Sequence, residues 1–157
     1  MGTRALFRIF DETGTEICDI YVHYDGYPEG WGLEVAKFLA SKRLTNGIPL
    51  GEEGSVFNRM EDLTAQLITY MKLLNSMHSR NFTLSTSGVK EITPTRILAG
   101  NVYVYPPNTT DADQEYEYHI YPEGETIIIK VIDVWENDKV LFEGTPEEYI
   151  EKFSEAN

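Results

Sequence analysis

His23-Tyr24-Asp25-Gly26-Tyr27-Pro28-Glu29-Gly30-Trp31-Gly32 joins a predicted strand to a predicted helix. The Asp25-Gly26 pair favours a tight turn, and Pro28 restricts the backbone that follows it. Trp31 starts the apolar face of the next helix. We call residues 23–32 the aromatic-acidic loop, and the remaining predicted elements are arranged around it.

A β-hairpin is predicted before this loop. Its strands are Ala5–Phe10 and Ile17–Tyr24, with a turn at residues 11–14 between them. Side chains alternate between the two faces of a strand. In the second strand we expect the core face to hold Cys18, Ile20, Val22 and Tyr24. We expect the more hydrated face to hold Ile17, Asp19, Tyr21 and His23.

Two helices are predicted in the middle of the chain. The first covers about residues 32–44 and ends before Asn46-Gly47. Residues 46–57 are rich in glycine and proline, which predicts a mobile loop. The second helix is predicted to start with Asn58 as its cap and to carry an apolar stripe as far as Met77. Such a stripe is typical of a helix that packs on a core.

The rest of the chain predicts further strands and a last helix. The strands are expected at residues 81–87, 101–105, 116–121, 126–135 and 140–142, and Thr145-Pro146 begins the helix. The sequence therefore predicts one α+β domain over residues 1–157. It would contain a mainly antiparallel sheet of about six strands, with two central helices and a short C-terminal helix packed on one face.

The charge is distributed unevenly along the 157 residues. Residues 1–100 carry 12 acidic and 10 basic side chains, a net of −2, while residues 101–157 carry 14 and 3, a net of −11. This excess of carboxylates favours solubility, and it also fits an acidic face for a basic partner or a mimic of nucleic acid. Direct nucleic-acid binding is disfavoured, because phosphate contacts need clustered lysine and arginine.

The cysteine content and the N-terminal sequence bear on the compartment. Cys18 is the single cysteine, so no disulfide can form within the chain, which fits a reducing cytoplasm. The sequence shows no signal-peptide pattern and no run of about 18 apolar residues. We therefore expect a cytoplasmic protein without a membrane partner.

The aromatic-acidic loop and the strand before it carry the candidate functional residues. His23, Asp25 and Glu29 can in principle coordinate a metal or perform acid–base chemistry. A metal site usually has three or four ligands, and His78 and His119 have no ligand-like neighbours in sequence, so we predict neither a metal nor a cofactor. The alternatives are a purely structural turn and a binding surface. That surface would comprise Tyr21, His23, Asp25, Tyr27, Glu29 and Trp31.

The sequence favours a non-enzymatic protein. It contains no Gly-x-Ser-x-Gly elbow and no Walker loop, and Cys18 alternates onto the apolar face. Several tyrosines on the later strands form either an aromatic stacking platform or ordinary cross-strand packing. They are Tyr103, Tyr105, Tyr116, Tyr118 and Tyr121.

Two segments of the chain carry a resemblance to a protein group. The first is Tyr21-Val22-His23-Tyr24-Asp25-Gly26-Tyr27-Pro28-Glu29-Gly30, followed by Leu33 and Phe38-Leu39. The second is the ending Leu141-Phe142-Glu143-Gly144-Thr145-Pro146-Glu147-Glu148-Tyr149-Ile150. Both resemble small uncharacterised proteins of bacteriophages and prophages. The resemblance implies a phage-encoded accessory protein in the host bacterial cytoplasm, and it implies no catalytic residues.

Three functional hypotheses follow from these observations. The first is a non-enzymatic, phage-type accessory protein that binds a host protein or a small ligand through residues 21–32. The second is a metal-assisted hydrolase that uses His23, Asp25 and Glu29. The third is an acidic decoy of nucleic acid that uses the carboxylates of residues 101–157.

Overall fold

A computed structural model describes residues 2–79 and 96–154, and all structural statements below concern these residues. The elements in chain order are β1 (Ala5–Phe10), β2 (Glu16–Val22), α1 (Leu33–Ala40), β3 (Arg43–Thr45), β4 (Val56–Asn58), α2 (Arg59–Ser79), β5 (Val102–Tyr105), β6 (Tyr116–Glu123), β7 (Thr126–Asp133), β8 (Lys139–Gly144) and α3 (Pro146–Ser154). None of the described helices is long and apolar enough to cross a membrane.

Six strands form one sheet in the order β5-β2-β1-β6-β7-β8. Neighbouring strands run antiparallel except for β1 and β6, which are parallel. Parallel neighbours need a long connection between them, and here it contains both central helices. The predicted α+β class and the mainly antiparallel six-stranded sheet are therefore confirmed.

The three helices pack on one face of the sheet, which we call the inner face. One apolar cluster joins Phe7 and Ile20 of the sheet to Leu39 of α1, Leu67 of α2 and Tyr149 of α3. The sheet residues in this cluster alternate along each strand, as the period of a β-strand requires. Helices gathered on one face were predicted, and the structure confirms this arrangement.

The opposite, outer face is partly covered by the segment of residues 106–115. Thr109 accepts a hydrogen bond from Arg8 through its carbonyl and donates its N–H to Asp19. Asp19 is consequently fully buried, and Tyr21 is 6% exposed. The prediction of a hydrated face here was wrong for these two residues, because the sequence does not reveal the segment that covers them. Tyr24 is 51% exposed rather than buried, since β2 ends before it.

The middle of the chain differs from the prediction in two respects. Helix α1 ends at Ala40, and the next residues form β3, which pairs in parallel with β4. Part of the predicted loop at residues 46–57 is therefore a strand. Leu44, Val56 and Phe57 are all buried, so this two-stranded sheet is held by apolar packing. The strand predicted at residues 81–87 lies outside the described residues.

The two remaining helices have different N-terminal caps. Asn58 does not cap α2 as predicted; instead, the carboxylate of Glu12, from the β1–β2 turn, accepts a hydrogen bond from the N–H of Met60. The predicted cap of α3 is confirmed. Thr145 and Glu148 exchange hydrogen bonds between side chain and backbone, which satisfies two N–H groups of the first turn.

Candidate functional site

The aromatic-acidic loop folds back on itself through backbone hydrogen bonds. The N–H of Gly30 donates to the carbonyl of Tyr27 at 2.9 Å, and that of Trp31 donates to the carbonyl of Asp25 at 2.8 Å. Asp25 has a positive φ of 62°, a conformation that aspartate tolerates better than most residues. A single irregular helical turn, Pro28–Gly32, then leads into α1.

Two glycines allow the close approaches that this path requires. A Cβ atom on Gly30 would lie 2.5 Å from the carbonyl oxygen of Asp25, and one on Gly32 would lie 2.1 Å from the hydroxyl of Tyr149. Real Cβ atoms do not approach other atoms so closely, so larger residues at either position would displace the loop. The glycines therefore fix the path of the chain rather than make it flexible.

Two buried tyrosines from distant elements hold the loop carbonyls. Tyr118 of β6 donates its hydroxyl to the carbonyl of Gly26 at 2.6 Å, and Tyr149 of α3 donates to the carbonyl of Pro28 at 2.7 Å. Burial raises the pKa of both phenols well above the ordinary value, so they remain protonated donors. Sequence analysis did not assign either tyrosine to the site, because each lies about a hundred residues from the loop.

Asn101 attaches the start of the loop to the edge of the sheet and to α2. Its Oδ1 accepts the N–H groups of His23 at 3.0 Å and Tyr24 at 2.8 Å, and its Nδ2 donates to Oδ1 of Asn75 at 2.9 Å. Asn101 also has a positive φ, of 61°. The loop, the C-terminal half of α2 and the residues before β5 are thereby joined around one space.

That space is an open cavity of about 610 Å³. Its size is within the range that small-molecule sites occupy, roughly 300–1,000 Å³. The loop supplies one wall, α1 and α2 supply another, and residues 99–101 close the third. The lining residues are Tyr24, Asp25, Tyr27, Glu29, Gly30, Trp31, Glu34, Leu74, Asn75, Ala99, Gly100 and Asn101.

Four of the six predicted site residues line this cavity. They are Asp25, Tyr27, Glu29 and Trp31. Trp31 is also part of the apolar cluster and is 7% exposed, so it can offer a ligand only a small part of its indole.

The other two predicted residues lie on the outer face of the sheet. His23 Nδ1 and the hydroxyl of Tyr21 are 2.7 Å apart, and the ring of Tyr21 stacks on that of Tyr105 with centroids 5.4 Å apart. The His23 ring contacts the ring of Tyr24 edge-on at 4.6 Å. These two residues therefore support the back of the cavity wall and do not line the cavity.

The predicted tyrosine set does not form one platform. Tyr103 and Tyr105 pack beside Tyr21 on the outer face, whereas Tyr118 is buried on the inner face and stacks on Phe7 at 4.3 Å. Cross-strand packing, the alternative interpretation, describes these residues. No group of three or more His, Cys, Asp or Glu side chains that could hold a metal ion occurs within residues 2–79 and 96–154.

A second cluster of charged residues lies on the outer face of the sheet. The guanidinium of Arg8 binds both carboxylate oxygens of Glu117, at 3.1 and 3.0 Å, and donates to Asp19 at 2.7 Å and Glu16 at 3.4 Å. Asp19 Oδ2 also accepts the N–H of Thr109, while its Oδ1 is buried without a partner among the described residues.

This cluster shifts the pKa values of its carboxyl groups in opposite directions. Burial, together with the neighbouring Glu16 carboxylate, raises the pKa of Asp19 to about 7. Hydrogen bonds from His119, Arg8 and Gln114 lower the pKa of Glu117. A proton retained on Asp19 removes one of two neighbouring negative charges from this buried cluster. The cluster fastens residues 106–115 to the sheet and lies apart from the cavity.

Comparison with protein-family models, curated proteins and solved structures finds no match to this chain. The resemblance to phage and prophage proteins thus stays a prediction from the two quoted segments. The cavity is the feature of the structure that suggests a function, through the chemistry of its lining residues and the contacts that hold its walls.

Proposed function

We propose that this chain is a non-enzymatic binding protein that engages a host protein or a small ligand through the cavity beside the aromatic-acidic loop. The observation that supports this is a ligand-sized cavity with a wall fixed by hydrogen bonds from three other parts of the fold: Tyr118, Tyr149 and Asn101. A wall ordered before binding reduces the entropy lost when a ligand binds.

The two alternative functions have less geometric support. A metal-assisted hydrolase would need His23 beside Asp25 and Glu29, yet His23 does not line the cavity and its ring bonds to Tyr21. A nucleic-acid decoy would need its carboxylates on one side. Exposed Glu147 and Glu151 lie on α3, against the inner face, whereas Asp111 and Asp113 belong to the segment over the outer face.

The proposal is tested by blocking the cavity and screening for ligands. A library of cationic, neutral and anionic fragments is titrated against ¹⁵N-labelled protein, and amide shifts are followed in two-dimensional NMR spectra. Ala99→Trp places a large ring at an exposed position in the lining. Leu50→Trp is the matched control, because Leu50 is 99% exposed and outside the lining.

We expect at least one fragment to shift the amides of Gly30, Asn75 and Gly100. That response should disappear in Ala99→Trp and persist in Leu50→Trp. If no fragment shifts these amides, or if Ala99→Trp leaves the response unchanged, the proposal is wrong.

A further inference from the structure

We propose that the cavity recognises an organic cation, an ammonium or guanidinium group, carried next to a hydrogen-bond acceptor such as a carbonyl. This inference rests on the proposed function, since it names the class of ligand for the same cavity. It is supported by three separate properties of the lining: carboxylates without a partner among the described residues, exposed tyrosine rings and one buried amide donor.

The cavity concentrates negative charge. Asp25, Glu29 and Glu34 line it, and no lysine, arginine or histidine of residues 2–79 and 96–154 is among the lining residues. Glu34 accepts a hydrogen bond from the hydroxyl of Tyr70 at 3.2 Å, but Asp25 and Glu29 have neither a side-chain hydrogen bond nor an ion pair with any residue in the described ranges. Two carboxylates that lack a partner within a concave site attract a cation and repel an anion.

The cation of Lys72, beside the cavity, is already engaged. Its Nζ donates to the carbonyls of Gly100 at 2.9 Å and Val102 at 3.1 Å, at the edge of the sheet. Lys72 therefore supports the third wall of the cavity and leaves the carboxylates of the first wall unpaired.

Aromatic rings stand beside those carboxylates. Tyr24 and Tyr27 line the cavity and are 51% and 40% exposed, whereas Trp31 also lines it but is largely buried. The Tyr27 ring packs closely over Gly30, where an added Cβ would lie 3.1 Å from its Cε2 atom. A cation over the face of such a ring is attracted by the ring quadrupole, and neighbouring carboxylates add to this attraction. A neutral apolar ligand would gain nothing from the carboxylates.

The buried amide of Asn75 adds a requirement for an acceptor. Asn101 Oδ1 accepts two backbone N–H groups, so its Nδ2 must be the atom that faces Asn75. Asn75 therefore presents Oδ1 to Asn101, and its own Nδ2 is left as a donor. Asn75 is 7% exposed and lines the cavity. Its Nδ2 has no hydrogen bond to any residue in the described part of the chain.

A cation with a nearby carbonyl satisfies both sets of groups at once. The lysine or arginine residue of a polypeptide has this combination, and so does a small amide derived from a basic amino acid. A simple polyamine has the cation without the acceptor. The shared chemistry is thus a basic residue with its carbonyl group, and the source is either a protein segment or a free small molecule.

The test titrates ¹⁵N-labelled protein with four probes. Nα-acetyl-lysine methylamide and Nα-acetyl-arginine methylamide carry a cation and carbonyls. Nα-acetyl-norleucine methylamide lacks the cation, and n-butylamine lacks the carbonyls. We expect the first two to shift the amides of Gly30, Asn75 and Gly100. The other two probes should have dissociation constants at least about 10-fold higher, since each lacks one of the two interactions.

Charge-matched variants separate the cavity from the general attraction of an acidic protein for cations. The Asp25→Asn/Glu29→Gln double variant should weaken the lysine probe by about 10-fold or more. Asparagine also tolerates the positive φ of Asp25, so the loop path is kept. Glu147→Gln/Glu151→Gln removes the same charge from exposed positions on α3, and we expect it to change the affinity by less than about 2-fold.

A longer peptide distinguishes the two sources of the cation. A gain of about 10-fold from the single-residue probe to Ala-Ala-Lys-Ala-Ala indicates a protein segment, and an unchanged affinity indicates a free small molecule; either result supports the proposal.

Three results would overturn the cation inference. The norleucine probe could bind as tightly as the lysine probe, or both double variants could weaken the lysine probe equally. Magnesium chloride could also shift the same amides as much as the lysine probe does. If other fragments bind the cavity while both cationic probes fail, the cation inference falls and the proposed function stands. If nothing binds, both fall.

Discussion

The carboxyl group of Asp19 lies fully buried between Arg8 and the segment that covers the outer face. Two carboxylates, Asp19 and Glu16, share the Nη1 atom of the Arg8 guanidinium, whose other nitrogen atoms donate to Glu117 and to the carbonyl of Thr109. Retention of a proton relieves the repulsion between them, and the pKa of Asp19 is raised to about 7 by burial and by Glu16. This residue therefore makes stability depend on pH.

We predict that Asp19→Asn flattens the pH dependence of stability between about pH 4 and 7. In this window the folded protein retains a proton on Asp19 that the unfolded chain releases, so the free energy of unfolding falls as pH rises. Glu117 has a lowered pKa and contributes in the opposite direction. Its contribution to stability is fully present above the pKa that glutamate has in the unfolded chain, and it is lost only in more acidic solution. In the wild type, we expect Asp19 to lower the free energy of unfolding by an amount on the order of 2–4 kcal/mol between pH 4 and 7.

Urea unfolding at several pH values from 4.5 to 8 measures this difference. The difference between the two proteins is the observable, because all their other ionisable groups are the same. Asp111→Asn is the control, since Asp111 is exposed in the same covering segment, and it should keep the wild-type slope. The same slope in Asp19→Asn and wild type would show that Asp19 does not hold the proton.

At the scale of elements, α3 fastens the aromatic-acidic loop as well as closing the core. Its Tyr149 is buried against Phe153 and Phe142, and the hydroxyl reaches the carbonyl of Pro28. We predict that Tyr149→Phe costs about 1–3 kcal/mol of stability, because it leaves a buried carbonyl without its donor. It should also speed hydrogen exchange at Gly30 and Trp31, since the loop loses an anchor.

Thermal unfolding and amide exchange in NMR measure the two effects. Tyr103→Phe removes the same hydroxyl from a residue that is 46% exposed on β5, and it should change neither quantity appreciably. Equal destabilisation by both variants would mean that the hydroxyl of Tyr149 does not anchor the loop.

The elements that the sequence predicted well are those with a strong local pattern. Strands β1 and β2 alternate clearly, α2 has a long apolar stripe, and α3 begins with a Thr-Pro-Glu-Glu cap. Strands β3 and β4 have three residues each, too few to show a period, and each is stabilised by pairing with the other across the chain. Because β3 has no period of its own, helix α1 was predicted four residues too long. Leu44 is apolar and lies at helical spacing, but it belongs to β3.

At the scale of the whole molecule, the cavity is assembled by topology. Asp25, Tyr27, Glu29 and Trp31 were predicted because they are close together in sequence. Leu74, Asn75 and residues 99–101 were not, because they reach the loop only when β5 pairs with β2 at the sheet edge and α2 crosses the inner face. Asn101 shows the limit most clearly: its identity suggests a turn, while its side chain joins two walls of the cavity.

The net charge of −13 leads to a prediction for the whole chain. With 26 acidic and 13 basic side chains, we expect repulsion among exposed carboxylates to outweigh the few surface ion pairs that the described residues form. Salt screens charges at the surface more than the enclosed contacts of Arg8. We therefore expect the melting temperature at pH 7 to rise by a few degrees, about 3–6 °C, as sodium chloride increases from about 0.02 to 0.3 M.

Differential scanning calorimetry at pH 7 tests this expectation, with Glu147→Gln/Glu151→Gln as the comparison. That variant has two fewer negative charges, so its melting temperature should start higher in low salt and rise less with added salt. A melting temperature that falls with salt would mean that attractive ion pairs dominate the surface.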